Sequence, residues 1–235
     1  MQANVKRRLA HGFLFGVAYT WSKSLDFGSD QSFELPNAYN QGISYGPSDF
    51  DVRNMLVVNY VWDIPFSSPN RLMRGVLGSW QLSGTTQAQT GEPFTVSQGN
   101  DYAGVGPGSG NQPWAISHTP KVYKKFSGGT GQQWFEGGAF QIPTEGTFAG
   151  RGTRNAIYGP GFQSWNAALQ KTLHVIPSHD NHTIVFKAEA FNFVNHPNLD
   201  TPDTNPTSGT FGQVTQKGNT YASDRQFQFS LRYAF

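Results

Sequence analysis

The chain has 235 residues, a formal net charge of +2, no cysteine, and only 14% charged residues against 14% aromatic ones. So small a net charge gives no electrostatic case for nucleic acid, and the lack of cysteine removes disulfide frameworks and Cys-ligated metals. No run of about 18 apolar residues is present to make a transmembrane helix, which says nothing against a transmembrane barrel.

Mean hydropathy is nevertheless −0.48, because Asn, Gln, Ser, Thr and Gly stand where charge is usual. With Gly 27 and Pro 14, the composition points to strands and turns. Two classes suit it: a lipid-facing barrel with a hydrated interior, and a soluble adhesin-like β-domain.

In chain order, residues 2–9 read as part of a strand, with Val5 and Leu9 against Asn4, Lys6 and Arg8. No apolar signal region follows Met1 to Arg8. A chain that opens on half a hairpin is expected to continue upstream in its gene. After the tight turn Ala10-His11-Gly12, Phe13 to Ser22 alternates cleanly, with Phe13, Phe15, Val17, Tyr19 and Trp21 on one face. A polar stretch, Lys23 to Asp49, leads to a strand over Asp51–Ile64, carrying Leu56, Val58, Tyr60, Trp62 and Ile64 on its more apolar side. Pro65 to Gly78 turns the chain. Trp80 to Thr90 then sets Gln81, Ser83, Thr85, Gln87 and Gln89 on a polar face.

Residues 97–160 show no sustained period and are rich in Gly and Pro. An extra hairpin near Val122–Phe126 and Phe140–Ile142 is one reading of them. Alternation returns over Trp165–Leu173, and again over Thr183–Phe193 after the short turn Pro177–His182. The last stretch, Arg225 to Phe235, alternates without a fault. Phe227, Phe229, Leu231, Tyr233 and Phe235 share one face; Gln226, Gln228, Ser230, Arg232 and Ala234 share the other. A strand of about 9–11 residues, apolar on one side and wet on the other, fits a tilted barrel strand. A soluble sandwich also alternates, so this strand alone does not decide.

The connections decide more. They alternate short and long: 10–12, 65–78 and 177–182 against 23–50, 91–161 and 195–224. Short periplasmic turns and long extracellular loops are the habit of outer-membrane barrels. With the long loops outside, Tyr19, Trp21, Trp165 and Phe227 fall near the outer interface. Phe13, Tyr60, Trp62, Trp80, Tyr233 and Phe235 fall near the inner one. Two such girdles are what amphipathic rings at both lipid–water boundaries produce.

Four segments carry a family resemblance: Tyr19–Ser24; Tyr45–Arg53; Gly78–Gly84 with Gln89–Phe94; and Lys187–Asn198, followed by Phe211–Val214 and terminal Phe235. In order and spacing the chain resembles the C-terminal β-barrel portion of TonB-dependent outer-membrane transporters, Oar-like branch. The expected fold is all-β: an antiparallel up-and-down transmembrane β-barrel, here an incomplete C-terminal fragment, residues 1–235, of about seven strands with long extracellular loops. The plug, N-terminal domain and signal peptide of the family are not among these residues. The resemblance implies four partners: outer-membrane lipid, the barrel-assembly machinery, the TonB complex through an N-terminal part, and an extracellular ligand. It also implies that Phe227, Phe229, Leu231, Tyr233 and Phe235 form a barrel-assembly signal. No cofactor is implied.

Other chemistry reads as structural. His179, Asp180 and His182 share a turn without a complete metal-ligand set. Asp49, Asp51 and Arg53 read as a salt bridge at a barrel rim, and Lys187 with Glu189 as an ion pair on the polar face. Asn181-His182-Thr183 matches a glycosylation pattern of little meaning for a bacterial envelope protein, and the glycines at 104–110 lack the strand-to-helix context of a phosphate loop. No nucleophile–base pairing can be read, so no enzyme is expected. The competing class is a secreted β-rich adhesion or carbohydrate-binding domain with aromatic sugar platforms.

Overall fold

The computed structural model describes residues 1–29, 35–97, 99–106, 112–123, 131–175, 182–218 and 224–235, Leu9 by its backbone alone. Seven long strands form one sheet: β1 (Gln2–Ala10), β2 (Phe13–Trp21), β3 (Asn54–Asp63), β4 (Trp80–Gln89), β5 (Phe162–His174), β6 (Thr183–Phe191) and β7 (Gln226–Ala234). Each pairs antiparallel with the next in the chain, giving an up-and-down meander. β1 and β7 are not paired with each other, so the barrel is not closed.

Local chemistry sets the hairpins. The turn from β1 to β2 has His11 at φ 52° and Gly12 at φ 75°, the left-handed pair that a two-residue hairpin requires. A side chain at Gly12 would also stand 2.9 Å from the Asp63 carbonyl oxygen. Between β3 and β4 the expected turn contains a short helix, α1 (Arg71–Leu77), capped by the Asn70 side chain, which accepts from the Leu72 and Met73 amides. The period-two pattern does not reveal it, because a helix follows a different period.

The register separates the faces. Asn59, Thr85 and Asn166 lie in one cross-strand row, and Glu189 pairs with Gln228 on the same polar side. The other face carries Phe13, Phe15, Leu56, Val58, Leu82, Leu169, Phe186 and the β7 aromatics. Nothing among the described residues covers it: Phe229 is 67% and Leu231 73% exposed. On this face the Tyr60 ring lies across Gly84, within 2.6 Å of where a Cβ would be, so only glycine fits. Lys171 also belongs to this face. Its ammonium reaches the inner rim, donating to the Gly78 carbonyl at 2.6 Å over the Trp80 ring, as a long cation does to escape lipid.

The strands are tilted. One pairing row runs Phe15, Tyr60, Gly84, Ala167, Ala190, Phe227. Phe15 lies near the inner end of its strand and Phe227 near the outer end of its own. Such drift is the stagger that barrel strands need.

The packed core lies outside the sheet. The three long connections fold over its outer end into a cap around Phe135, which is fully buried with Val96, Ala139, Phe140 and Ile157. Phe94, Phe140 and Phe211 surround the Phe135 ring at 5.6, 5.6 and 5.3 Å. Two-residue ladders stitch the cap: Leu25–Asp26 to Gly46–Pro47, Pro93–Phe94 to Ile157–Tyr158, Ala115–Ile116 to Phe140–Gln141, and Gln132–Gln133 to Gln213–Val214. The hairpin read near Val122–Phe126 and Phe140–Ile142 does not form as such. Phe140 pairs with Ile116, and Val122 bridges to Phe135; residues 124–126 lie outside the described residues. Long-range apolar contacts to Phe135 outweigh local strand pattern here.

Candidate functional site

The first long connection is locked to the second by two polar knots. In one, Asp51 is almost fully buried at the foot of β3. Its carboxylate accepts from the Ser24 amide at 2.7 Å, from Arg53 Nε at 2.8 Å and from the Tyr158 hydroxyl at 2.6 Å. Arg53 Nη2 also donates to the Tyr158 oxygen at 2.9 Å. In the other, buried Arg154 donates to Asp26 at 2.7 Å, to the Ser29 hydroxyl at 2.7 Å and to Asp49 at 3.2 Å. Asn155 joins it, its amide donating to the Pro47 carbonyl at 2.7 Å and to Asp49. A guanidinium removed from water needs such pairing to avoid a large desolvation cost.

The charges respond accordingly. Burial acts to raise the Asp51 carboxyl, but hydrogen bonds from Tyr158, Ser24 and Arg53 outweigh it and hold the group below the usual carboxylate range. Asp26 behaves likewise: burial opposes, and Ser48, Arg154 and Ser29 prevail. Burial first, then the bond to Asp51, pushes the Tyr158 phenol up. Asp51 and Asp26 are therefore ionised at neutral pH.

Beside the second knot opens a pocket of about 290 Å³ between the loops. Asp49, Thr95, Ser97 and Gln112 give it polar walls; Ile43 and Phe148 give it apolar ones. It has the size and mixed character to hold a small polar solute against an apolar patch.

A strand-rich sheet, apolar outside and polar inside, with all its long loops at one end, is the architecture of an outer-membrane barrel. The model of the family described as "Outer membrane beta barrel domain" matches residues 1–228. The chain belongs to this family. Its place is the outer membrane, and the uncovered apolar face of the sheet is the face that meets lipid. No curated protein and no solved structure matches the chain.

In this barrel-family chain the residues read from sequence fall as follows. Phe227, Phe229, Leu231 and Tyr233 stand exposed on the lipid side of edge strand β7, and Phe235 follows its end, also exposed. Tyr19, Trp21 and Trp165 lie toward the cap end, where Trp165 meets Phe193 edge-on at 6.5 Å and the Tyr19 hydroxyl donates to Asn54 at 2.6 Å. Tyr60, Trp62 and Trp80 lie toward the opposite end. Arg53 and Asp51 do form the rim salt bridge, but Asp49 turns to Arg154 instead. Lys187 and Glu189 pair at 2.6 Å on the polar face.

His179, Asp180 and Asn181 lie outside the described residues; His182 Nδ1 lies 2.7 Å from the Tyr233 hydroxyl. Among the described residues no group of three or more His, Asp or Glu could hold a metal ion. Of the glycine-rich segment, 107–111 lie outside the described residues. Arg154, Asn155, Tyr158 and Asp26 were missed by the sequence reading. The available signal was weak: Arg151 and Arg154 are both cations in the same Gly-rich segment, and only Arg154 is buried.

Proposed function

We propose that this chain is the C-terminal barrel segment of a TonB-dependent outer-membrane transporter or receptor of the Oar-like branch, taking part in energy-coupled uptake or export of a ligand. The observation that carries the reading is where the resembling segments meet. Tyr19–Ser24 and Tyr45–Arg53 join through Asp51 and through the Ser48 and Ser24 hydroxyls at 2.8 Å. Phe94 of the third segment and Phe211 of the last meet on Phe135. Segments distant in sequence that act together in three dimensions support a shared architecture rather than chance likeness. In this reading the cap faces the medium, the pocket beside Arg154 receives the ligand, and the girdle aromatics hold the barrel at its two interfaces. The TonB complex is engaged through residues other than these. The β7 aromatic face serves the barrel-assembly machinery.

The competing reading, a secreted adhesion or carbohydrate-binding domain, has the outer-membrane family against it. The test is in-cell cross-linking of the gene product, with identification of TonB among the adducts. A TonB adduct that weakens when the proton gradient is dissipated is expected. An outer-membrane protein that cross-links efficiently to neighbours, with no TonB adduct in either state, would overturn energy coupling.

A further inference from the structure

Helix α1 divides cleanly by side. At 100° per residue, Leu72, Met73, Val76 and Leu77 occupy one face, and Arg71, Arg74 and Gly75 the other. Nothing in the described chain covers the apolar face, since Leu72 is 79% and Val76 64% exposed. A helix this short is marginal in water without a surface to pack on. Yet it is pinned in place. Its Asn70 cap holds one end, and at the other the Trp80 indole N–H donates to the Val76 carbonyl at 3.0 Å. Trp80 lies on the lipid side of β4, and the Lys171 ammonium sits over its ring at 5.0 Å. The helix therefore leaves the sheet on its lipid side, at the inner rim.

We propose that α1 is an interfacial anchor embedded in the phospholipid leaflet around the inner rim of the barrel. Leu72, Met73, Val76 and Leu77 enter the acyl boundary, and Arg71 and Arg74 lie against the lipid phosphates. Two observations choose lipid over a protein partner: the last turn of the helix is tied to Trp80 on the lipid-facing side of the sheet, and the two guanidiniums complement an anionic headgroup layer. The anchor rests on the barrel reading, with the short connections on the periplasmic side.

None of these 235 residues is cysteine, so each introduced label is unique within this stretch and is read as the difference from the unsubstituted protein carried through the same labelling. Leu72→Cys, Val76→Cys, Gly75→Cys and Leu82→Cys each receive a nitroxide in outer-membrane vesicles, and accessibility to oxygen and to a water-soluble nickel chelate is measured. A Cβ at Gly75 meets nothing within 4 Å, and Leu82 on β4 reports the lipid face. Labels at 72 and 76 are expected to favour oxygen as Leu82→Cys does, several-fold over the label at 75. Equal nickel exposure at 72, 75 and 76, with 82 still in lipid, overturns the anchor and leaves the barrel standing. Nickel exposure at 82 removes the barrel and the anchor together. Labels at 72 and 76 shielded from both reagents mean that a protein covers the helix, which also overturns the proposal.

Discussion

The sheet and its cap solve burial in opposite ways. Strands β2 to β7 hold a regular ladder but no packed core of their own; their apolar face looks outward to lipid. Among the described residues the cap has little regular structure beyond two-residue ladders and brief 3-10 turns, yet it contains a buried hydrophobic cluster. The solvent accounts for the difference. Against hydrocarbon, a strand needs its backbone paired and its outer side chains apolar, and no second layer is required. Loops in water must bring distant apolar residues together or remain unordered. Phe135 does this for the cap by drawing in Phe94 from the second connection and Phe211 from the third.

The widest separation of the two regions is expected from Phe135→Ala. Removing a fully buried aromatic costs about 3–5 kcal/mol, all of it in the cap. Hydrogen exchange should show amides at 112–116 and 132–141 losing protection while β3 to β6 keep theirs. An equal loss in the strands would mean that cap and sheet fold as one unit, and the contrast would fail.

A charge on the lipid side sharpens it from the other direction. Val58 lies mid-strand on the apolar face, in a row with Val17 and Thr86. Val58→Arg should cost about 2–4 kcal/mol in urea unfolding from vesicles. Thr85→Arg, exposed on the polar face, should stay within about 0.5 kcal/mol. Equal costs would contradict the assignment of faces.

The same contrast explains what could be read in advance. Strand alternation is a local signal, so β2, β4 and β7 are legible in their own residues, and the loop alternation gives the sidedness. Lys171 and α1 escape because each breaks the local period: one is a cation that reaches the rim along an apolar face, the other a helical pattern inside a presumed turn. The cap escapes for a deeper reason. Phe94, Phe135 and Phe211 are separated by long stretches of chain, and no periodicity announces that three such rings will meet. Arg154 is half a clue. A cation in a loop is ordinary when exposed, as Arg151 is three residues earlier, and only the burial of Arg154 shows that Asp26 and Asp49 must come to it.

A smaller effect separates anchoring from recognition at Phe235, which is 89% exposed. If the ring only inserts into lipid, Phe235→Ala removes about 1.5–3 kcal/mol of burial, and outer-membrane levels should be nearly normal. If the β7 aromatics are an assembly signal, the variant accumulates unfolded in the periplasm although it refolds normally in detergent. Normal levels in the outer membrane would leave Phe235 as an anchor alone.

The smallest effect concerns the polar lock, and it tests whether the cap is held by charge as well as by Phe135. Tyr158→Phe keeps the ring but removes the hydroxyl that donates to Asp51 and accepts from Arg53; a loss of about 1–2 kcal/mol is expected. The sign of the pH dependence follows from the carboxyls. Asp51 and Asp26 are lowered in the folded chain, so their contribution is complete above the ordinary carboxylate value near 4. It is lost only as pH falls through the lowered values. Tyr158 is raised, so its contribution is complete below the ordinary phenol value near 10 and is lost as pH rises through the shifted one. Between these limits, the protection of amides at residues 24–29 and 150–158, taken relative to the intrinsic exchange rate at each pH, should be flat with pH. In Tyr158→Phe, Asp51 has lost a donor and its carboxyl moves back toward the ordinary range. The acid opening of the first connection should therefore begin at higher pH than in the unaltered chain, with Phe135 protection unchanged. An acid limb that stays in place would show that Tyr158 contributes packing only, and that Arg53 and the Ser24 amide hold Asp51 without it.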